Sequence, residues 1–274
     1  MIPFVKAHAC GNDFLILEES EAGGRHAELA RQLCSRHYSI GADGIEFLDR
    51  RPDGSFFLRL FNADGSEAEL SGNGTRCVAA WLAYSEGLKA THIETHGGIR
   101  TCNVVECSDA DFSIETGMGV PTIEERTVDI DSIGPVQGAV VNVGNPHFVL
   151  FTVDQDFRTY GHTWEALGAY LCTHPTFPNQ TNVEFVRIVS PTEIHFRIYE
   201  RGVGPTHSSG TGTCASATAA IALRNCARTL TATSIGGPQR IEWPANDQPM
   251  RLTGPARIVC TGEATASADA SSAA

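Results

Sequence analysis

The chain has 274 residues, 42% of them hydrophobic and 19% charged, which is enough apolar material for one large packed unit or two of ordinary size. Its net charge of −12, with no run of basic residues, excludes nucleic-acid binding as the main activity, because a phosphate backbone is held by clustered Lys and Arg. No apolar stretch approaches the length of a membrane span, and the N-terminus runs into strand-like sequence without a signal-peptide pattern, so a cytoplasmic protein with no membrane partner is expected.

In chain order, short β-branched and aromatic stretches predict strands over 4–7 and 14–17, followed by a helix over 27–37. A strand over 56–61 leads to a helix over 74–87. The second half offers strands over 138–143, 148–152 and 193–199, and Ala/Leu-rich helices over 163–172 and 212–224. The 27 glycines imply many tight turns and therefore short connections. From Ala264 onward the sequence is Ala, Ser, Thr and Asp with nothing large to bury, and a disordered tail over 264–274 is expected. Trp81, Trp164 and Trp243 read as core residues, and His8 and His195 as packing or surface residues.

The nine cysteines are odd in number and contain no CxxC pair, so neither a zinc knuckle nor a disulfide framework is indicated. They are expected as thiols in a reducing compartment.

An internal echo carries the most information. Ser71-Gly72-Asn73-Gly74-Thr75-Arg76-Cys77 resembles Ser209-Gly210-Thr211-Gly212-Thr213-Cys214, and Ala-rich helical sequence follows both. Asn62 lies as far before Ser71 as Glu200 lies before Ser209. A second echo pairs Gly11-Asn12-Asp13-Phe14 with Gly144-Asn145-Pro146-His147-Phe148. Two halves with the same order of strand, glycine loop and helix imply a duplication, divided near Gly117-Met118-Gly119-Val120-Pro121. The expected domains are 1–118 and 119–263.

A glycine loop at a helix start presents unpaired backbone N–H groups at the positive end of the helix dipole, which suits a carboxylate or phosphate. The bland alternative is a pair of tight turns. Neither loop fits ATP or a dinucleotide. Gly74 is followed by Thr75-Arg76 where a P-loop needs Lys-Ser/Thr, and Gly72-Asn73-Gly74 lacks the third glycine of a dinucleotide loop. Ser71 and Ser209 both precede their first glycine, so the elbow of a serine hydrolase is also absent.

The segments Lys6-Ala7-His8-Ala9-Cys10-Gly11-Asn12-Asp13-Phe14, Gly41-Ala42-Asp43-Gly44, Asn62-Ala63-Asp64-Gly65-Ser66 and the Ser71 loop resemble the N-terminal half of the diaminopimelate epimerase family. Val141-Asn142-Val143-Gly144-Asn145-Pro146-His147-Phe148, Asn182-Val183-Glu184-Phe185 and Tyr199-Glu200-Arg201-Gly202-Val203-Gly204 through Gly212 resemble its second half. The resemblance implies an α/β fold of two pseudo-symmetric domains, each a curled mixed sheet around a central helix. It implies two-base transfer of an α-proton, converting LL- to meso-diaminopimelate without pyridoxal phosphate, other cofactor or metal. Gly72, Asn73, Gly210 and Thr211 would hold the α-carboxylate, and Asn12, Asn62, Asn145, Asn182 and Arg201 would bind substrate amine or carboxylate groups. His147 and Glu200 would support the acid/base residues, and the resemblance also implies a homodimer. Following a strand, Glu200 and Arg201 should point to opposite faces.

Two departures stand out. Serine occupies both positions where the family pattern has catalytic cysteine, at Ser71 and Ser209, and Pro205 replaces the usual acidic residue. A thiol with a pKa near 8.5 becomes a base after a modest shift, whereas a hydroxyl needs a neighbour to take its proton. Three readings follow: an epimerase with Ser71 and Ser209, natural or engineered, as relays; an isomerase, dehydratase or racemase for another small carboxylate on the same scaffold; or a binding protein without activity. On the first, Ser71 and Ser209 should face each other across the domain cleft with room for one tetrahedral carbon, and His147 should approach one of them.

Overall fold

Runs of β-branched and aromatic residues, each ended by Gly, Asn or Asp, fold as short strands in the computed structural model, which describes residues 1–265. The first half contains β1 (Ile2–Ala9), β2 (Asn12–Glu18), α1 (His26–Leu33), β3 (Gly44–Arg50), β4 (Phe56–Asn62) and β5 (Glu67–Ala68). It continues through α2 (Gly72–Glu86), β6 (Ala90–Thr95), β7 (Gly98–Ser108) and β8 (Asp111–Gly119). The second half contains β9 (Thr122–Ile130), β10 (Gly134–Asn142), β11 (Pro146–Phe151), α3 (Trp164–Cys172), β12 (Asn182–Ser190) and β13 (Glu193–Glu200). After β14 (Gly204–Thr206) come α4 (Gly210–Arg224), β15 (Thr229–Ser234), β16 (Gly237–Glu242) and the long β17 (Met250–Ala264).

The chain divides into two units. The first comprises Met1–Thr116 with residues 254–265, and the second Gly117–Thr253. The stretch 254–263, expected in the second domain, groups with the first because β17 runs on to pair with β1, Ile2 opposite Ala264. Ala264 is therefore a buried strand residue rather than the start of a tail. Residues 266–274 of the expected tail lie outside the described residues.

In the first unit the pairings run β1–β2–β3–β4–β6–β7–β8–β17 and back to β1, a closed ring of eight strands. The pairs β2/β3 and β4/β6 are parallel, so the sheet is mixed. β4 shares its first residues with β6 and its last with β5, and α2 begins just after β5. Six of the nine buried residues of α2 are small, Gly74, Thr75, Cys77, Val78, Ala79 and Ala80, and side chains that small let a helix sit inside a curled sheet.

Strand alternation assigns two faces. Phe14, Ile16 and Leu48 pack with α2, while Leu15, Leu17, Ile45 and Phe47 pack with Leu29, Ala30 and Leu33 of the outer helix α1. The second unit repeats the plan. Its pairings run β9–β10–β11–β12–β13–β15–β16–β17, with β11/β12 and β13/β15 again parallel. Val149 and Val186 pack with Cys214, Ala215 and Ala217 of α4, and Phe148, Leu150, Val183 and Phe185 with Trp164, Leu167 and Leu171 of α3. α2 and α4 each have 15 residues and equivalent starts, so the duplication inferred from the loops extends through the element order.

The helix expected over 27–37 stops at Leu33, because the chain turns back and the N–H groups of Gly41 and Ala42 bond to the carbonyls of Leu33 and Cys34. All nine cysteines lie outside any disulfide.

Candidate active site

Each central helix starts at a serine in extended conformation that supplies its N-cap. Ser71 Oγ accepts from Gly74 N–H at 3.0 Å, and Ser209 Oγ accepts from Gly212 N–H at 3.2 Å. Serine is among the best capping residues, so part of the Ser-Gly-x-Gly signal is the requirement of a helix start. The glycines have a separate cause. A Cβ on Gly74 would overlap the Glu46 carboxylate, and one on Gly212 would lie 2.5 Å from Ile198 Cδ1 and 3.0 Å from Glu184 Oε1.

At the first start, Asn73 is buried and donates from Nδ2 to Asn12 Oδ1 at 2.6 Å, while Arg76 donates to Asn73 Oδ1. Asn12 in turn donates to Asp43 Oδ2 at 3.1 Å. Asp13 is held by Lys6 at 2.5 Å and by Arg36 at 2.6 Å. Burial raises its pKa, but the hydrogen bonds and charges of Arg36 and Lys6 outweigh this and bring it down to about 2. This network fixes the amides of Asn12 and Asn73 relative to α2. Asn62 instead closes its own turn, donating to Ser66 Oγ at 3.0 Å.

The second start carries a longer chain of contacts. Glu184 and His147 face inward from β12 and β11, both fully buried, with Oε1 2.6 Å from Nδ1. His147 Nε2 lies 2.9 Å from Asn145 Oδ1, and Asn145 Nδ2 donates to Thr211 Oγ1 at 3.3 Å. Thr211 Oγ1 is 3.4 Å from Ser209 Oγ. Within this unit His147 therefore reaches Ser209 only through Asn145 and Thr211. Burial pushes the Glu184 carboxyl up, opposed by the charge and hydrogen bond of His147. Burial also raises Glu200, against the hydrogen bond from Thr206 Oγ1 at 2.5 Å and the charge of His147.

Glu200 and Arg201 bond to different partners, Thr206 for Glu200 and Asn179 for the Arg201 side chain. The Arg201 side chain is exposed and donates to Asn179 O at 3.0 Å, while its backbone N–H donates to the buried Asn182 Oδ1 at 2.9 Å. Thus Asn12 and Asn73 are gathered at one start, and Asn145, His147, Thr211 and Ser209 at the other. Asn62 and the Arg201 guanidinium bond elsewhere. Sequence reading missed Glu46 and Glu184, although the half-chain echo pairs Gly44-Ile45-Glu46-Phe47 with Asn182-Val183-Glu184-Phe185.

Two helix starts rich in backbone donors, each above an inward-facing carboxyl, suit a small carboxylate substrate and proton transfer beside it. With the duplicated fold they define an isomerase of the racemase and epimerase class. The chain belongs to the diaminopimelate epimerase family, whose sequence profile matches residues 4–124 and 139–259. It is 37% identical to the diaminopimelate epimerase of Nostoc punctiforme, over 96% of this chain and 99% of the relative. It is also 37% identical to that of Desulforudis audaxviator, over 95% and 98%. Among solved structures the fold is similar to a phenazine biosynthesis protein of the PhzF family from Bacillus anthracis, with a TM-score of 0.70, 16% identity and coverage of 97% and 99%. It is similar also to a hydroxyproline epimerase from Agrobacterium vitis, with a TM-score of 0.66, 14% identity and coverage of 95% and 90%. No described helix is long and apolar enough to cross a membrane.

Proposed function

We propose that the protein epimerises diaminopimelate between its LL and meso forms, with the hydroxyls of Ser71 and Ser209 as the groups that exchange the α-proton. The observation that carries this reading is the equivalence of the two serines, each capping a central helix above a buried glutamate. The α C–H bond breaks as its proton forms a new O–H bond at one serine, whose own proton passes to a base. The electron pair stays on the α-carbon, delocalised into the carboxylate, until the other serine delivers its proton to the opposite face and is reprotonated by its own acid partner. A hydroxyl cannot do this unaided at neutral pH, and His147 or Glu200 is the base that serves Ser209. Backbone N–H groups at Gly72, Asn73, Gly210 and Thr211 hold the α-carboxylate, and Asn12, Asn62, Asn145, Asn182 and Arg201 complete substrate recognition. Arg201 would have to leave Asn179 to do so.

A second reading, a racemase for another amino acid, is favoured by Pro205, which stands where the family pattern is acidic. The test is proton–deuterium exchange followed by NMR in heavy water, with LL-diaminopimelate beside a panel of amino acids. Exchange in diaminopimelate supports the first reading; exchange only in another amino acid overturns it in favour of the second. A cytoplasmic homodimer is part of the proposal, and light scattering that gave only the 29.3 kDa monomer would remove the dimer.

A further inference from the structure

Each unit places one glutamate on an inward-facing strand position beneath the glycine of its central helix. Glu46 pairs across with Leu60 and lies against Gly74; Glu184 pairs across with Ile198 and lies against Gly212. The two are partnered differently. Asn182, two residues before Glu184, is in register with His147, and His147 supplies the Glu184 partner. Gly44, two residues before Glu46, is in register with Phe14, which can supply none. Glu46 is 1% exposed, and its Oε1 has no hydrogen-bond partner among the described residues. Glu46 lines a small cavity together with Ser71, Thr75 and Thr95.

We infer that Glu46 is the proton-exchange partner of Ser71, holding and returning the hydroxyl proton while Ser71 exchanges one with the substrate carbon. This role rests on the reading of Ser71 as an acid/base residue and gives it the base that a hydroxyl needs. In abstraction, the substrate C–H bond breaks, its proton bonds to Ser71 Oγ, and the former hydroxyl proton passes to the Glu46 carboxylate. The electron pair remains on the α-carbon. In delivery the same protons move back, so no alkoxide accumulates. Glu46 acts through Ser71 and does not touch the substrate.

Burial pushes the Glu46 carboxyl up to about 8, which makes it a stronger base than an ordinary carboxylate and sets its exchange close to neutral pH. The other titratable groups around it are Glu69, exposed and lining the same cavity, and Cys77 of α2, buried with its thiol pushed up by desolvation. Arg76 turns away to Asn73.

The experiment compares the full-length wild type, Glu46→Gln, Ser71→Cys and the double variant, reading α-proton exchange of LL-diaminopimelate against pH. A thiolate serves as its own base, so the partner should matter only to serine. Glu46→Gln should slow exchange on the order of 100-fold beside Ser71 and remove the pH dependence near 8. Beside Ser71→Cys it should cost less than about threefold. Equal losses in the two backgrounds would mean a structural role and overturn the inference. If Glu46→Gln does not fold, Glu46→Leu, matched to the neighbouring Leu58 and Leu60, takes its place. A wild type that exchanges no amino acid would sink the functional reading instead. Infrared spectroscopy then decides on Glu46 separately: its protonated-carboxyl band should shift in Ser71→Ala, and an unmoved band overturns the pairing.

Discussion

Glu46 makes the stability of the fold depend on pH, and the sign follows from its burial. Its carboxyl titrates near 8 in the folded state and near 4.5 in the unfolded chain, so the folded state keeps a proton that the unfolded state releases. The contribution of Glu46 is therefore complete below about 4.5, falls as pH rises towards 8, and levels off above it, a loss on the order of 5 kcal/mol. Urea unfolding at pH 5, 7 and 9 should show this slope in the wild type and a flatter one in Glu46→Gln; equal slopes would refute it. Asp13 works in the opposite sense at the acid end, since its pKa is lowered to about 2 and its contribution disappears as pH falls through that region. The His147–Glu184 pair gives a second test. Removing one partner of a buried pair leaves the other uncompensated, so Glu184→Ala should cost roughly 3–5 kcal/mol. Replacing both, with His147→Phe and Glu184→Leu, should recover most of that loss, and a denaturation cycle measures it.

The starts of α2 and α4 show how one element can serve packing and chemistry together. Ser71→Ala removes the cap on Gly74 N–H and should cost about 1 kcal/mol of stability. Gly74→Ala should be far more damaging, because the added methyl overlaps the Glu46 carboxylate. Shortening that side chain in the double variant Gly74→Ala/Glu46→Ala should restore part of the melting temperature, whereas simple additivity would argue against the contact. These helices were legible in sequence because Ser-Gly-x-Gly followed by small residues has few other uses. β2, β4, β11 and β13 were legible from their β-branched and aromatic runs. β3 and β12 were not, since a buried charge breaks each apolar run, Glu46 in one and Glu184 in the other. β7 and β9 were hidden for a different reason, being largely exposed and polar. Glu46 and Glu184 each read as a lone charge in an apolar run, and only the fold reveals that both point inward.

At the scale of the whole molecule, the closed ring of the first unit depends on residues from both ends of the chain. β17 supplies the strand between β1 and β8. Deleting 254–264 should leave two unpaired edges and an aggregating product, while the second unit, whose residues are contiguous, should lose less. Limited proteolysis of the shortened chain would distinguish the two, and equal resistance of both units would contradict this.

The pairing of Ile2 with Ala264 also bears on how the protein is made. A ribosome makes β1 long before β17, so the first unit cannot close until Ala264 has emerged, whereas the second needs the chain only as far as Thr253. The N-terminal strands must wait with an open edge through most of translation, and chaperone binding should concentrate there. Arrested nascent chains probed by proteolysis should show the later-synthesised unit protected before the earlier one.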